Sequence, residues 1–190
     1  KKIVSYLLSS IFYLFYGSFL LIFHGLQWLG FNIGKYKGHK IAVDFMNCTL
    51  AYLLYILGTR IKFISNHHPI PKNVPLIVVS NHQNLHDISP LSCFLRKHHP
   101  KFVSKIELGK GIPAVSYNLT HGGSVLIDRK DPRQSLVAIK EFGKYIEKNN
   151  YAAVIFPEGT RSKDGIPKRF SENGLKMLTK FAPSAYVVPV

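Results

Sequence analysis

Hydrophobic and polar positions divide this chain into two regimes. From Ile3 to Phe31 no charged residue occurs, and Leu, Ile, Phe and Tyr dominate. That run is longer than the ~20 apolar residues a helix needs to cross a bilayer. A basic linker follows, Lys35-Tyr36-Lys37-Gly38-His39-Lys40, and then a second apolar run from Ile41 to Gly58, interrupted by Asp44 and Asn47. Polar interruptions of that kind suit a helix lying at an interface or packed on protein better than a lipid-facing span. Two full spans would leave the linker on the far side, against the positive-inside tendency, and one span would leave Lys1 and Lys2 there. A re-entrant or in-plane helical pair keeps every Lys on the near side and is the arrangement expected. A cleaved signal peptide fits poorly, because the run is too long and has no small-x-small cleavage site.

Beyond Pro75 the pattern alternates. Short apolar runs predict strands at Leu76–Ser80, Phe102–Ser104, Ser124–Asp128, Tyr151–Phe156 and Tyr186–Val190. Between them, helices are predicted from Asp87 to about His98, in a region ending at Gly122-Gly123, after Asp131-Pro132, and from Ser171 to about Ala182. The helix after Pro132 should place Leu136, Ile139, Phe142 and Ile146 on one face. Alternating strand and helix predicts an α/β fold: a mostly parallel sheet flanked by helices, preceded by the N-terminal membrane-associated hairpin. The expected division is 1–60 for the apolar segment and 61–190 for the α/β domain. No internal repeat or low-complexity tract occurs.

Net charge is +15 with histidine neutral. Such a balance favours anionic partners: nucleic acid, an acidic membrane surface or phosphorylated substrates. Cys48 and Cys93 make no framework or metal spacing, and two buried thiols in a reducing compartment are expected. His82 and His86 are four apart with Asp87 adjacent, but H-E-x-x-H is absent and no Cys cluster supports zinc, so no metal is expected. His67-His68 before Pro69 reads as a loop, and His98-His99 before Pro100 as a helix end.

The candidate chemistry sits at strand ends, where ligands bind in open parallel sheets. In Asn81-His82-Gln83-Asn84-Leu85-His86-Asp87, a turn between His82 and Asp87 would let the carboxylate fix the imidazole tautomer and stabilise the imidazolium. The same residues are good turn formers, and Asp87 is a plausible N-cap. A second block follows another strand: Phe156-Pro157-Glu158-Gly159-Thr160-Arg161-Ser162. A third is Gly122-Gly123-Ser124-Val125-Leu126-Ile127-Asp128-Arg129, and a fourth is Val187-Val188-Pro189-Val190. No nucleophile elbow accompanies Ser124, and His121-Gly122-Gly123 reads as a helix C-cap.

These four blocks resemble the glycerolipid acyltransferase superfamily, best known through the 1-acylglycerol-3-phosphate (lysophosphatidate) acyltransferases. They match its N-H-x-x-x-x-D, G-x-x-x-I-D-R, F-P-E-G-T-R-S and V-P-V elements, over about Val74 to Val190. Phe102 to Leu108 also resembles a segment between the first two. Asn84 departs from the Ser found in many members. A member of this family would be expected to continue past Val190.

The resemblance implies acyl transfer from a thioester to the sn-2 hydroxyl of 1-acylglycerol-3-phosphate, giving phosphatidate. His82 would be the general base and Asp87 its orienting partner. Arg129 and Arg161, which lie in matching blocks, would bind the substrate phosphate, with Lys105 a third candidate; the alternative for each is a solvated surface cation. Glu158 would either hold an Arg or Lys of that site or bond amides of its own turn, and the Gly159 and Thr160 amides could stabilise the oxyanion. The expected co-substrate is acyl-CoA or acyl-carrier protein, with no cofactor. Membrane lipids and lysophosphatidate are the expected partners, with no nucleic acid, and the α/β domain is expected on the cytoplasmic face. Alternatives within the family use glycerol-3-phosphate or another lysophospholipid. An alternative of another class is a non-enzymatic basic module binding lipid or nucleic acid, which would have no need of the His82/Asp87 pair.

Overall fold

A computed structural model describes residues 2–64, 69–162 and 164–190. The expectation for His67-His68 lies outside the described residues. The first element, α1 (Lys2–Leu53), is helical throughout except at Lys35, where the backbone leaves helical geometry (φ 49°, ψ −135°). The chain folds back there, so α1 is a hairpin of two arms. Two glycines make this possible. A Cβ added at Gly30 would lie 2.6 Å from the Gly38 carbonyl oxygen, so only hydrogen side chains let the arms come this close. Below the bend, Gln27 bonds His39 and Met46 across the arms (3.2 Å each), and Leu20 and Phe23 pack with Met46 and Leu50. A short 3₁₀ turn, Leu54–Leu57, ends on Gly58 at φ 77°, a conformation glycine adopts without a Cβ clash.

Five strands follow: β1 (Leu76–Val79), β2 (Pro100–Lys105), β3 (Val125–Ile127), β4 (Ala152–Ile155) and β5 (Tyr186–Pro189). They form one sheet in the order β3-β2-β4-β1-β5, and each pairing is parallel. The helices between them are α2 (Ile88–Phe94), α3 (Val115–His121), α4 (Pro132–Asn149) and α5 (Glu172–Phe181). Strand alternation sends Ile77, Ala153 and Ile155 to one face, against Ile139, Phe142, Ile146 and Leu178 of α4 and α5. Leu76, Val78, Ala152 and Val154 face the other way, against Leu91 and Leu95. The α1 hairpin packs on α2 and α3, with Ala114 buried against its arms.

Several expectations need correction. Leu136 is exposed rather than part of the buried face of α4, whose apolar stripe begins at Ile139. Ser171 occupies the N-cap of α5 but its side chain makes no capping bond. The helix predicted from Asp87 to His98 is broken into α2 and a 3₁₀ turn, Arg96–His98, closed by His99 in the left-handed region. The two cysteines are not separate thiols: Cys48 of the second arm and Cys93 of α2 form a disulfide. Their sequence spacing carried no hint of this, because packing of α1 on α2 is what brings them together.

Candidate active site

The strand order explains how distant blocks meet. The β1 and β4 strands are neighbours in parallel register, Val79 beside Ile155, so the loops carrying His82 and Glu158 leave the same sheet edge. The β2 and β3 strands are parallel neighbours too, with Lys105 opposite Ile127, which puts Lys105 and Arg129 farther along that edge. Residues His82, Lys105, Arg129, Gly159, Thr160 and Arg161 line one open cleft of about 730 Å³.

His82 Nδ1 lies 3.1 Å from Asp87 Oδ2, and the same oxygen accepts the Gln83 and Asn84 amides at 2.8 Å each. Burial alone would raise the Asp87 carboxyl, but the bonds from His82, Asn84 and Gln83 outweigh it and hold its pKa below the usual carboxylate value. An ionised carboxylate only accepts, so Nδ1 must carry the proton and Nε2 is left with a free lone pair. Among the described residues Nε2 has no partner. The ring itself stacks on Phe156, centroids 4.3 Å apart. The turn and the His82–Asp87 contact coexist in one loop. Asn84 caps the 3₁₀ turn Leu85–Asp87 through the His86 amide, and Asp87 returns the bond to the Asn84 amide. Asp87 makes no side-chain cap on α2.

Glu158 does neither of the things expected of it. One oxygen accepts the His82 amide at 2.7 Å and the other the Lys168 amide at 2.9 Å. These bonds hold its pKa below the usual glutamate value. Its carboxylate thus pins the β1 loop to the β4 loop, and a further bond, Ser162 N–H to the His82 carbonyl (2.9 Å), closes the same junction. The Gly159 amide is not available to an oxyanion, because it donates to the Phe156 carbonyl at 3.0 Å. The Thr160 amide has no partner among the described residues.

Arg129 and Arg161 are exposed on the cleft, and neither pairs with an acid among the described residues. Lys105 is held by Glu107 at 2.8 Å, so an anion there would compete with an existing, exposed pair. Ser124 Oγ accepts the Phe102 amide at 3.1 Å and is structural.

The sequence profile of the acyltransferase family matches residues 61–190. The chain belongs to the acyltransferase family. A 1-acyl-sn-glycerol-3-phosphate acyltransferase of Helicobacter pylori strain J99 is 39% identical over 107 residues, covering 55% of this chain and 43% of that protein. The alpha form from sheep (Ovis aries) is 26% identical over 152 residues, covering 80% and 51%. The crystal structure of the 1-acyl-sn-glycerophosphate (LPA) acyltransferase PlsC from Thermotoga maritima superposes with a TM-score of 0.73 at 26% identity. It spans 95% of this chain and 71% of that one. The chain covers about half or less of the length of these curated relatives.

Two features of the site carry no sequence signal. Lys168 reaches back, its Nζ 2.9 Å from Thr160 Oγ1 and 3.1 Å from the Arg161 carbonyl, and so braces the turn that presents Arg161. The first arm of α1 also enters the site: Tyr13 lines the cleft, and the Phe12 and Tyr16 rings meet His86 edge-on at 5.3 and 5.5 Å. Phe12 is fully buried there, which a lipid-facing reading of the run would not predict. A Phe in an uncharged apolar run offers no pattern that separates a protein contact from a lipid contact.

Proposed function

We propose that this chain transfers a fatty acyl group from an acyl thioester to the free hydroxyl of 1-acylglycerol-3-phosphate, giving phosphatidate. The observation that carries the reading is the free Nε2 of His82 in the cleft that Arg129 and Arg161 also line. The sequence similarity to proteins named 1-acyl-sn-glycerol-3-phosphate acyltransferase supports it.

The acyl donor is already activated, and the acceptor is the weak partner because its hydroxyl pKa lies far above neutral pH. As the alcohol oxygen attacks the thioester carbonyl, His82 Nε2 takes its proton, and Asp87 stabilises the imidazolium through Nδ1. The carbonyl oxygen becomes an oxyanion, for which the Thr160 amide is the available donor on this loop. Collapse of the tetrahedral intermediate breaks the C–S bond, and the thiolate leaves with the proton returned from His82. No acyl-enzyme is needed. Arg129 and Arg161 grip the phosphate, and their planar donors suit it bidentately. Glu158 holds the His82 loop against the Arg161 loop and so fixes base and phosphate site relative to each other.

The chain acts at a membrane in this reading. The helical region Lys2–Leu57, folded back at Lys35, contains a stretch long and apolar enough to cross one. Its exposed residues include Ile3, Tyr6, Leu14, Leu21, Trp28 and Ile33. The bend carries Lys35, Lys37 and Lys40. Both arms lie in the interface, with the cleft on the cytoplasmic side where an acidic donor, acyl-CoA or acyl-carrier protein, reaches the basic surface.

The test is an acceptor panel with one long-chain acyl thioester, read as free thiol and lipid product. Phosphatidate from lysophosphatidate is expected. Preferential use of glycerol-3-phosphate would move the acceptor within the family, and no thiol release with any acceptor would contradict an enzyme.

A further inference from the structure

The cleft lining is chemically mixed. Lys105, Arg129 and Arg161 are its cations, and Tyr13, Leu85 and Leu108 are its apolar members. All three of the latter are left in contact with solvent, at 61%, 50% and 37% exposure. Leu85 belongs to the turn between His82 and Asp87, and Leu108 to the 3₁₀ turn after β2, Ile106–Gly109. Tyr13 comes from the first arm of α1, where Tyr6, seven residues earlier on the same helix face, is also exposed. Exposed aromatic surface therefore continues from the cleft along the arm.

A monoacyl glycerol phosphate has three parts to satisfy at once. Its phosphate belongs with the cations, and its free hydroxyl must reach His82 Nε2. Its hydrocarbon chain gains nothing from lying against the cations, because only contact with apolar surface removes it favourably from water. The apolar lining residues are the contact left for it. The arm is also fixed in place rather than loosely adjacent: Phe12, next to Tyr13, is fully buried against His86, the neighbour of Asp87.

We propose that Tyr13, with Leu85 and Leu108, forms the seat for the hydrocarbon chain of the acceptor. The hairpin thus supplies a specificity-determining side chain as well as membrane contact. This inference rests on the acyl-transfer reading above. A chain contact present equally in ground and transition states changes KM and leaves kcat alone.

The test uses the full chain in mixed micelles of constant composition, with Tyr13→Asp, Leu108→Asp and the conservative Tyr13→Phe. Acceptors are 1-acylglycerol-3-phosphates with chains of about 18 and about 6 carbons; donor chain length is varied separately. For each Asp variant, the KM ratio of long to short acceptor should rise tenfold or more, with kcat within about twofold. Tyr13→Phe should keep the wild-type ratio. A thermal melt and vesicle co-sedimentation identify a variant that has merely lost its fold or its membrane contact, and Tyr13→Phe against Leu108→Asp then still reads the seat. The seat is refuted by an unchanged ratio, by equal loss with both acceptors, or by a change that follows the donor's chain. If the unaltered protein turns over no acceptor at all, the acyl-transfer reading itself falls and takes the seat with it. That outcome is distinct from an active protein indifferent to acceptor chain length.

Discussion

At the scale of residues, one carboxylate oxygen organises the site. Asp87 Oδ2 receives the imidazole and two backbone amides together. Replacing it by Asn leaves an amide oxygen that can accept the same three bonds, but removes the negative charge that stabilises the imidazolium formed when His82 takes a proton. Asp87→Asn should therefore lower kcat by roughly 10²-fold or more, with little change in donor KM; steady-state kinetics at saturating donor would check this. Arg129→Ala and Arg161→Ala should raise the acceptor KM more than the donor KM, and unchanged values in both would remove the phosphate assignment. The His82–Asp87 pair was legible from spacing and turn chemistry. The partners of Glu158 were not, because they are backbone amides 76 and 10 residues away, and an amide has no residue type to recognise. The same holds for the loss of the Gly159 amide to its own turn.

At the scale of elements, the hairpin depends on a close approach at Gly30 and Gly38. A valine at position 30 has no room beside the Gly38 carbonyl, so Gly30→Val should prise the arms apart. The expected loss is about 1–3 kcal/mol. Gly25 has open space where its Cβ would be, and Gly25→Ala should instead stabilise the helix by about 0.4–1 kcal/mol. Denaturant unfolding of the two variants side by side checks both signs. Strands, sheet class and the start of α4 followed from the alternation of apolar runs and from Asp131-Pro132, where Asp131 does cap the Arg133 and Gln134 amides. The inner face of α4 was misjudged at Leu136, because helical periodicity gives a stripe but not where along it the neighbouring elements stop. Pairing of Cys48 with Cys93 likewise depends on which face of α1 meets α2, which uniform hydrophobicity does not encode.

At the scale of the whole molecule, the hairpin is built into the protein. It packs on α2 and α3, buries Phe12, Gln27 and His39, and sends Tyr36 to the far end of the sheet from the cleft. There Tyr36 OH bonds His99 Nδ1 at 2.7 Å and Lys101 Nζ at 3.0 Å, and Lys101 sits over the Tyr36 and Tyr151 rings. Burial, then the neighbouring Lys40, lowers Lys101 from 10.5 to about 7. Burial, then Lys40 and Lys101, lowers His99 from 6.5 to about 4. Both groups bind fewer protons folded than unfolded, so both make stability rise with pH. The His99 contribution is present above about 6.5 and is lost as pH falls to about 4. The Lys101 contribution grows between about 7 and 10.5 as its folded form deprotonates first. Unfolding midpoints in urea should therefore increase from pH 7 to 9, and Lys101→Met should flatten that limb. A midpoint that falls over the same range in the unaltered protein would contradict this. The sequence disclosed a basic chain and an apolar leader; that a lysine would be enclosed by aromatic rings at their junction required the fold.

The most direct measurement is thiol release from a long-chain acyl thioester with lysophosphatidate, comparing the unaltered chain with His82→Ala at matched folded concentration. A base positioned on the acceptor hydroxyl contributes about 10²–10⁴-fold, so the variant should lose at least that much turnover while melting at a similar temperature. Turnover in His82→Ala within a few-fold of the unaltered chain would contradict the account.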